Sequence, residues 1–322
     1  MRKLILFLPV LAAALTPTLV SERPAATEPG QFRSPGGAYS AALEYGAGNT
    51  EFVPFDRFEV LDSTGKVVYA KSGTQHTVLD ISDSGLIVGV DFDGPVSGRA
   101  RLHFYDAKGE ERGIADVGFW GQHEFSADGS VYCVLGGRQG LRVFASTGKE
   151  LYNAGLGNRF AVSADGRQVA LATDTEIRLL RDGAEAASIS RGTPFVRSMA
   201  FSPDGNRFGY CERRGLYVHR AKDAALEYRY EPDDRRMRFI SLDLGNRLAT
   251  AGLDLDAGRG QPDRHRRGSV VLLDANGSPL WQQELAYEHW YYAVPEVRFR
   301  PNGTISVRTA GFVREYRYEE GE

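Results

Sequence analysis

The stretch Phe125-Ser-Ala-Asp-Gly-Ser-Val-Tyr-Cys133 joins two apolar runs through an Asp-Gly pair and carries one of the two cysteines of the chain. Taken alone, it offers an acid at a tight turn and a nearby thiol. Taken with the rest of the sequence, it is one copy of a repeat. Ser-Pro-Gly-Gly37, Ser-Asp-Ser-Gly85, Ser-Ala-Asp-Gly166 and Ser-Pro-Asp-Gly205 match it, and Leu-Asp-Leu-Gly245 and Arg-Pro-Asn-Gly303 are degenerate copies. With Gly129 included, the seven turn glycines are spaced by 48, 44, 37, 39, 40 and 58 residues. Asp or Asn before Gly marks a hairpin turn, because glycine takes the positive φ that the turn requires.

A second signal lies between these turns. Phe58-Glu-Val-Leu-Asp-Ser-Thr-Gly65, Leu102-His-Phe-Tyr-Asp-Ala-Lys-Gly109, Leu141-Arg-Val-Phe-Ala-Ser-Thr-Gly148 and Val270-Val-Leu-Leu-Asp-Ala-Asn-Gly277 are apolar strands that end in another turn. Each unit therefore holds four short strands, a to d, with the Ser-x-Asp-Gly turn between a and b and the Asp-x-x-Gly turn between c and d. Four strands repeated every 40 to 45 residues or so are the mark of a β-propeller blade. The chain is expected to be all-β, a seven-bladed β-propeller of four-stranded antiparallel blades over 32–322. A sandwich or barrel with the same strands would not produce a seven-fold repeat. The residues four beyond each turn glycine are Ala41, Gly89, Cys133, Ala170, Gly209, Ala249 and Val307. Six are small and the seventh only moderately larger, as expected on strand b, where twisted sheets crowd together. The last unit offers Glu296–Arg300, Thr304–Thr309 and Phe312–Tyr318 as a, b and c, with no evident d. A segment before Gly36 is expected to supply it and close the ring.

These motifs resemble the WD40-like propellers of exported bacterial proteins, including the TolB-type group with its Ser-Pro-Asp-Gly turns. Leu272-Leu-Asp-Ala-Asn-Gly-Ser-Pro-Leu-Trp281 is similar to the repeats of quinoprotein-type propellers. The resemblance covers about Phe32 to Tyr318, although the Trp-Asp dipeptide is replaced by Leu-Asp, Tyr-Asp or Phe-Ala. It implies architecture and leaves function open, because propellers serve many functions.

The first 20 residues differ in kind. Arg2 and Lys3 precede the apolar run Leu4–Leu15, which continues weakly to Val20. A basic head before such a run is expected to be a signal peptide, with Ala12-Ala-Ala14 as a cleavage site and Ala25-Ala26 as a poorer one. An uncleaved membrane anchor over Leu4–Val20 is the alternative, interrupted by Pro9 and Pro17. Residues 21–31 read as a linker or as the ring-closing strand. The expected location is periplasmic or extracellular, with contact to a membrane only through that N-terminal segment. The net charge of −3 gives no general attraction to nucleic acid. The two cysteines fall on strand b of blades that are not neighbours, which argues against a disulfide. A monomer is expected.

The a–b and c–d turns share one face of a propeller, and the d–a and b–c loops share the other. Here the unusual sequence collects on the second face. The b–c loops of blades 1, 2 and 6 are long (44–54, 91–98 and 254–268), and around a closed ring they gather on one sector with blade 7. Asp91, Asp93, Asp254, Asp256, Arg264, Arg266 and Arg267 lie in these loops. The d–a connections add Phe119, Trp120 and His123 before blade 3, and His289, Trp290, Tyr291 and Tyr292 before blade 7. Aromatic residues with Arg are enriched where partners bind. The competing reading has the tryptophans plugging gaps between blades and the Arg264–Arg267 run as a solvated loop tip.

Candidate chemistry is sparse. Asp91-x-Asp93-Gly and Asp254-x-Asp256-x-Gly258 are fragments of calcium loops that lack the further oxygen ligands and the closing Glu. No cofactor is expected, with calcium the one candidate. His76, His123 and His289 fall in d–a connections and are expected to approach one another if a three-histidine metal site exists. His103 and His219 fall on strand c. No Gly-x-Ser-x-Gly elbow or phosphate-binding Gly-Lys-Ser/Thr loop occurs. The expected function is non-enzymatic binding of a protein or peptide through the d–a and b–c face. The alternative is a hydrolase or lyase acting on a carbohydrate or small ester at the channel mouth.

Overall fold

A computed structural model of the chain describes residues 17–24, 31–34, 38–45, 55–76, 78–92, 99–118, 120–192, 195–255, 267–286, 295–300, 302–309 and 312–318. The described residues form seven four-stranded antiparallel sheets. Six sheets are continuous in sequence, over 31–76, 78–118, 120–155, 159–190, 198–230 and 237–286. In each, the four strands pair in chain order. The first strands of neighbouring sheets touch one another from blade 1 through to blade 7. This is the seven-bladed propeller that the repeat predicts. Among the described residues no helix is long and apolar enough to cross a membrane.

The repeated turn owes its shape to two side chains. In Ser126–Gly129 the Ser126 hydroxyl accepts the Val131 amide (3.1 Å) and donates to Asp128 Oδ1 (2.7 Å), which also accepts the Ser130 amide (2.9 Å). Ser163 with Asp165 and Ser202 with Asp204 repeat the pattern. The serines are buried, at 0 to 1% exposure for Ser82, Ser126, Ser163 and Ser202, so each turn is fastened from inside the blade. Gly85, Gly129, Gly166, Gly205 and Gly303 have φ between +69° and +80°. Gly245 does not share this conformation, in keeping with its degenerate motif.

The seven positions four residues beyond the turn glycines are all buried. At Gly209 the reason is visible: a Cβ there would sit 3.1 and 3.2 Å from Leu242 and Leu244 of the next blade. The core is a set of slabs between blades. Buried clusters join blades 1 and 2 (Phe58 to Ile87), 2 and 3 (Phe104 to Tyr132), and 3 and 4 (Val143 to Phe160). Others join 4 and 5 (Ile177 to Phe208), 5 and 6 (Val218 to Phe239), and 6 and 7 (Val270 to Val307). Cys133 and Cys211 are free thiols within these slabs, and burial raises the Cys211 thiol to about 12.

The seventh blade is composite. Glu296–Arg300, Thr304–Arg308 and Phe312–Arg317 supply a, b and c, as expected. Thr18–Pro24 supplies d, running antiparallel to Phe312–Arg317. Arg314 Nε pairs with Glu22 across this junction at 2.7 Å. The closing strand starts at Thr18, so it draws on residues at the end of the N-terminal apolar segment as well as on the segment 21–31.

Six residue pairs register this strand on its neighbour. At about 0.5–1.5 kcal/mol net per hydrogen bond, losing it costs on the order of 4 kcal/mol. A chain beginning at residue 17 is expected to unfold in urea at the same midpoint as the full chain. One beginning at residue 25 is expected to unfold at a clearly lower midpoint, and equal midpoints would show that the ring closes without the strand.

Candidate functional site

Three groups of polar side chains stand out, and only part of one was legible in the sequence. The first lies in the joint between blades 1 and 2. His76 ends strand d of blade 1 (Val67–His76) and lays its ring over Gly89, in strand b of blade 2 (Ile87–Phe92). A Cβ at Gly89 would stand 2.4 Å from that ring, so the small residue at this repeat position makes room for a histidine. His76 Nδ1 contacts Asp91 Oδ1, and His76 Nε2 meets the Tyr105 hydroxyl at 2.7 Å. His103, on strand c of blade 2 (Arg99–Tyr105), directs Nδ1 to Glu111 Oε2 at 2.9 Å and Nε2 to Asp91 Oδ2 at 3.0 Å. The two imidazole rings are 4.9 Å apart. Burial pushes the Asp91 carboxyl up, but contacts with His103 and His76 outweigh it and hold it well below the usual range. The His103 imidazole is raised by Asp91, against the effect of burial.

The second group lines the central channel. Asp80 on strand a of blade 2 (Val78–Ile81) contacts His123 Nδ1 on strand a of blade 3 (Trp120–Phe125), and Tyr132 OH reaches both. Next to them Glu124 shares a field with Asp243 and Arg298, from the first strands of blades 6 and 7. Glu124 is half-buried by surface exposure but densely surrounded by protein, and burial raises its carboxyl. Asp243 and Asp80 add to that shift and Arg298 opposes it. Burial likewise raises Asp243, against Arg298 and the amides of Phe299 (2.7 Å) and Leu244 (3.0 Å).

The third group is a cavity of about 640 Å³ between blades 5 and 6, on the face of the d–a and b–c connections. Arg197 comes from the connection into blade 5, Arg213 and Arg214 from its b–c turn, and Arg229 from its strand d. Arg235 and Arg238 come from the connection into blade 6 and its start. Glu212 and Glu231 are the carboxylates on the walls, so positive charge is in excess by four. Arg229 pairs with Glu231 and lies 5.3 Å from the Tyr217 ring centre. Phe195 stands at the rim with 72% of its surface exposed, the most exposed of the large apolar side chains described. Two short connections build this site, Glu212–Gly215 and Glu231–Arg238. Weighting loops by length passes over them; the doublets Arg213-Arg214 and Arg235-Arg236 were the signal available.

The sequence-predicted residues fare unevenly. His76 and His123 do not lie in loops and do not meet: His76 ends a strand and joins His103, and His123 sits within strand a and joins Asp80. Among the described residues, His76 and His123 are each held by the carboxylate of their own joint, while His289, the third histidine of that expectation, lies outside them. His103 lies on strand c, as expected, and is central to the first group. His219 does sit in the core, stacked on Tyr210, and burial lowers its imidazole. Asp254 is buried, opposite Arg238 and Gly268 in register, where it adjoins the cavity wall. Trp120 opens strand a of blade 3 opposite Gly136, and Arg267 opens strand c of blade 6 opposite Ala286. Phe119, Asp93, Asp256, Arg264, Arg266, His289, Trp290, Tyr291 and Tyr292 lie outside the described residues.

No family model matches the chain, and no curated protein matches it. Among solved structures, the chain is similar to KlHsv2 with loop 6CD replaced by a Gly-Ser linker. The TM-score is 0.62, over 91% of this chain and 90% of that one, at 9% identity. At that identity the likeness establishes the fold.

Two predictions test these placements. Gly89→Ala must displace the buried His76 ring and is expected to cost about 1–3 kcal/mol in denaturant unfolding; an unchanged midpoint would mean that the ring does not occupy that slot. The raised Glu124 carboxyl favours the folded state fully below its unfolded pKa, near 4.5, and that contribution is lost as pH rises through the folded value. The melting temperature of the wild type relative to Glu124→Gln is therefore expected to fall from pH 4.5 to pH 8. A pH-independent difference would place Glu124 in contact with bulk water.

Proposed function

We propose that the chain is an exported propeller that binds an acidic protein or peptide segment through its d–a and b–c face. The cavity between blades 5 and 6 carries this reading. Its arginines present planar donors suited to carboxylates, and Phe195 offers an apolar anchor beside them. The excess of positive charge stands on a chain of net charge −3, so it is a local concentration and not a general property. Arg238 lies opposite Asp254 in register, close to where strand b of blade 6 ends at Leu255. We extend the binding face through Arg264, Arg266 and Arg267 to the aromatic residues 289–292 on these grounds of chain order. The two features of the cavity, its charge and its apolar anchor, argue for a peptide over a small ester. Among the described residues, Asp91 and His123 are held in separate joints, Asp91 by His76 and His123 by Asp80.

Export is part of the same proposal. The basic head and apolar run support it, and the closing strand narrows the processing site. Cleavage at Ala12–Ala14 leaves Thr18–Pro24 in the ring, whereas cleavage at Ala25-Ala26 removes it. An anchor over Leu4–Val20 would compete with strand pairing for Thr18–Val20.

The test uses a fluorescent peptide of glutamates and phenylalanines and a twin with glutamine in place of glutamate. The acidic peptide is expected to bind, the twin to bind at least tenfold more weakly, and affinity to fall with salt. The double substitution Arg213→Ala and Arg214→Ala is expected to weaken binding at least tenfold, since each charge-assisted hydrogen bond contributes about 1.5–3 kcal/mol. Phe195→Ala is expected to weaken it further. Binding that is indifferent to these arginines would remove the cavity from the function.

A further inference from the structure

We infer that His76, Asp91 and His103 form a zinc site that clasps blade 1 to blade 2. The donor atoms of the three side chains all lie within 4.8 Å of one another. A tetrahedral zinc ion with bonds of about 2.0–2.2 Å holds its ligand atoms roughly 3.3–3.5 Å apart, so the ion takes three positions when the short His–Asp contacts open and the wider gaps of the cluster close. Two imidazoles and one carboxylate suit zinc and do not suit calcium, which takes six to eight oxygens.

The argument rests on what the other nitrogens do. Glu111 occupies Nδ1 of His103 at 2.9 Å, and a carboxylate there is an acceptor, so this nitrogen donates. In a neutral ring the lone pair then lies on Nε2, which is 3.0 Å from Asp91 Oδ2 but not aligned as a hydrogen bond. Two acceptors facing each other need a positive charge between them, either a proton or a metal ion. His76 presents Nδ1 to the other oxygen of the same carboxylate, and Tyr105 occupies its Nε2 at 2.7 Å. A single zinc ion satisfies all three ligands at once, whereas without it His103 must be an imidazolium between two carboxylates and a neutral His76 donates from Nδ1 to Asp91 while accepting from Tyr105. Glu111 and Tyr105 then act as the outer partners that orient metal-binding histidines. Asp91 is 28% exposed and His103 13%, so water can reach the fourth position. His76 belongs to blade 1, while Asp91 and His103 belong to blade 2. The ion therefore crosses a joint of the ring.

The experiment uses the full chain without a polyhistidine tag, stripped of metal by a chelator. Zinc is expected to bind at one equivalent in calorimetry and to raise the melting temperature, and calcium is expected to do neither. Cobalt in its place is expected to give the intense visible absorption of a tetrahedral site. His103→Ala and Asp91→Asn are expected to abolish that spectrum, and Glu111→Gln to weaken zinc binding about 10- to 100-fold while keeping it. Circular dichroism of each variant, and a wild-type melting temperature in the absence of metal, confirm that the variants are folded. No zinc uptake by the wild type would overturn the site in favour of a protonated His103. A cobalt spectrum that survives both His103→Ala and Asp91→Asn would place the ion elsewhere.

Discussion

A ring of sheets is only as stable as its last joint. Each blade is too small to bury both of its faces, so each depends on its neighbours, and apolar slabs fill the six consecutive joints from blade 1 to blade 7. The remaining closure is made by backbone pairing: Thr18–Pro24 completes blade 7 beside Phe312–Arg317. One strand from the start of the chain thus covers the edge that the end of the chain leaves open. That arrangement ties closure of the ring to a single antiparallel ladder.

Within that frame, polar chemistry is confined to places where the slabs leave room. The small residue on strand b shows this best. Its repeat role is to let sheets approach, and at Gly89 the space is taken by an imidazole from the preceding blade. At Cys133 the thiol fills the same space and is inert, with burial raising it. One structural slot is therefore used for packing in most blades and for a charged cluster in one. The channel acids Glu124 and Asp243 follow a related logic. They are tolerated because Arg298 faces them and backbone amides satisfy Asp243.

The cavity between blades 5 and 6 has a different origin. Its charge comes from side chains far apart in sequence, from Arg197 to Arg238, brought onto one rim by the return of the chain to the same face at each connection. Long loops are not needed for this. Two connections of ordinary length suffice when each carries an Arg pair.

What the sequence by itself determined was the period. Ser-x-Asp-Gly fixes a local hydrogen-bond pattern within five residues, and Asp-x-x-Gly another. Local chemistry of this kind is readable wherever it occurs. It located seven blades, the small strand-b positions and the three strands of the last blade, and it showed that Asp128 and Cys133 are scaffold. The need for a closing strand could also be read, because a missing d leaves an open edge. Tertiary structure alone decided which residues meet. His76 with His103, His123 with Asp80, and six arginines on one rim depend on the rotation between blades and on the facing of each strand. A shift of one residue in strand register reverses which side chains enter a joint. Loop placement by blade order could name a sector, but it could not say which short turns converge, because that is set by packing between sheets and not by any residue's neighbours in sequence.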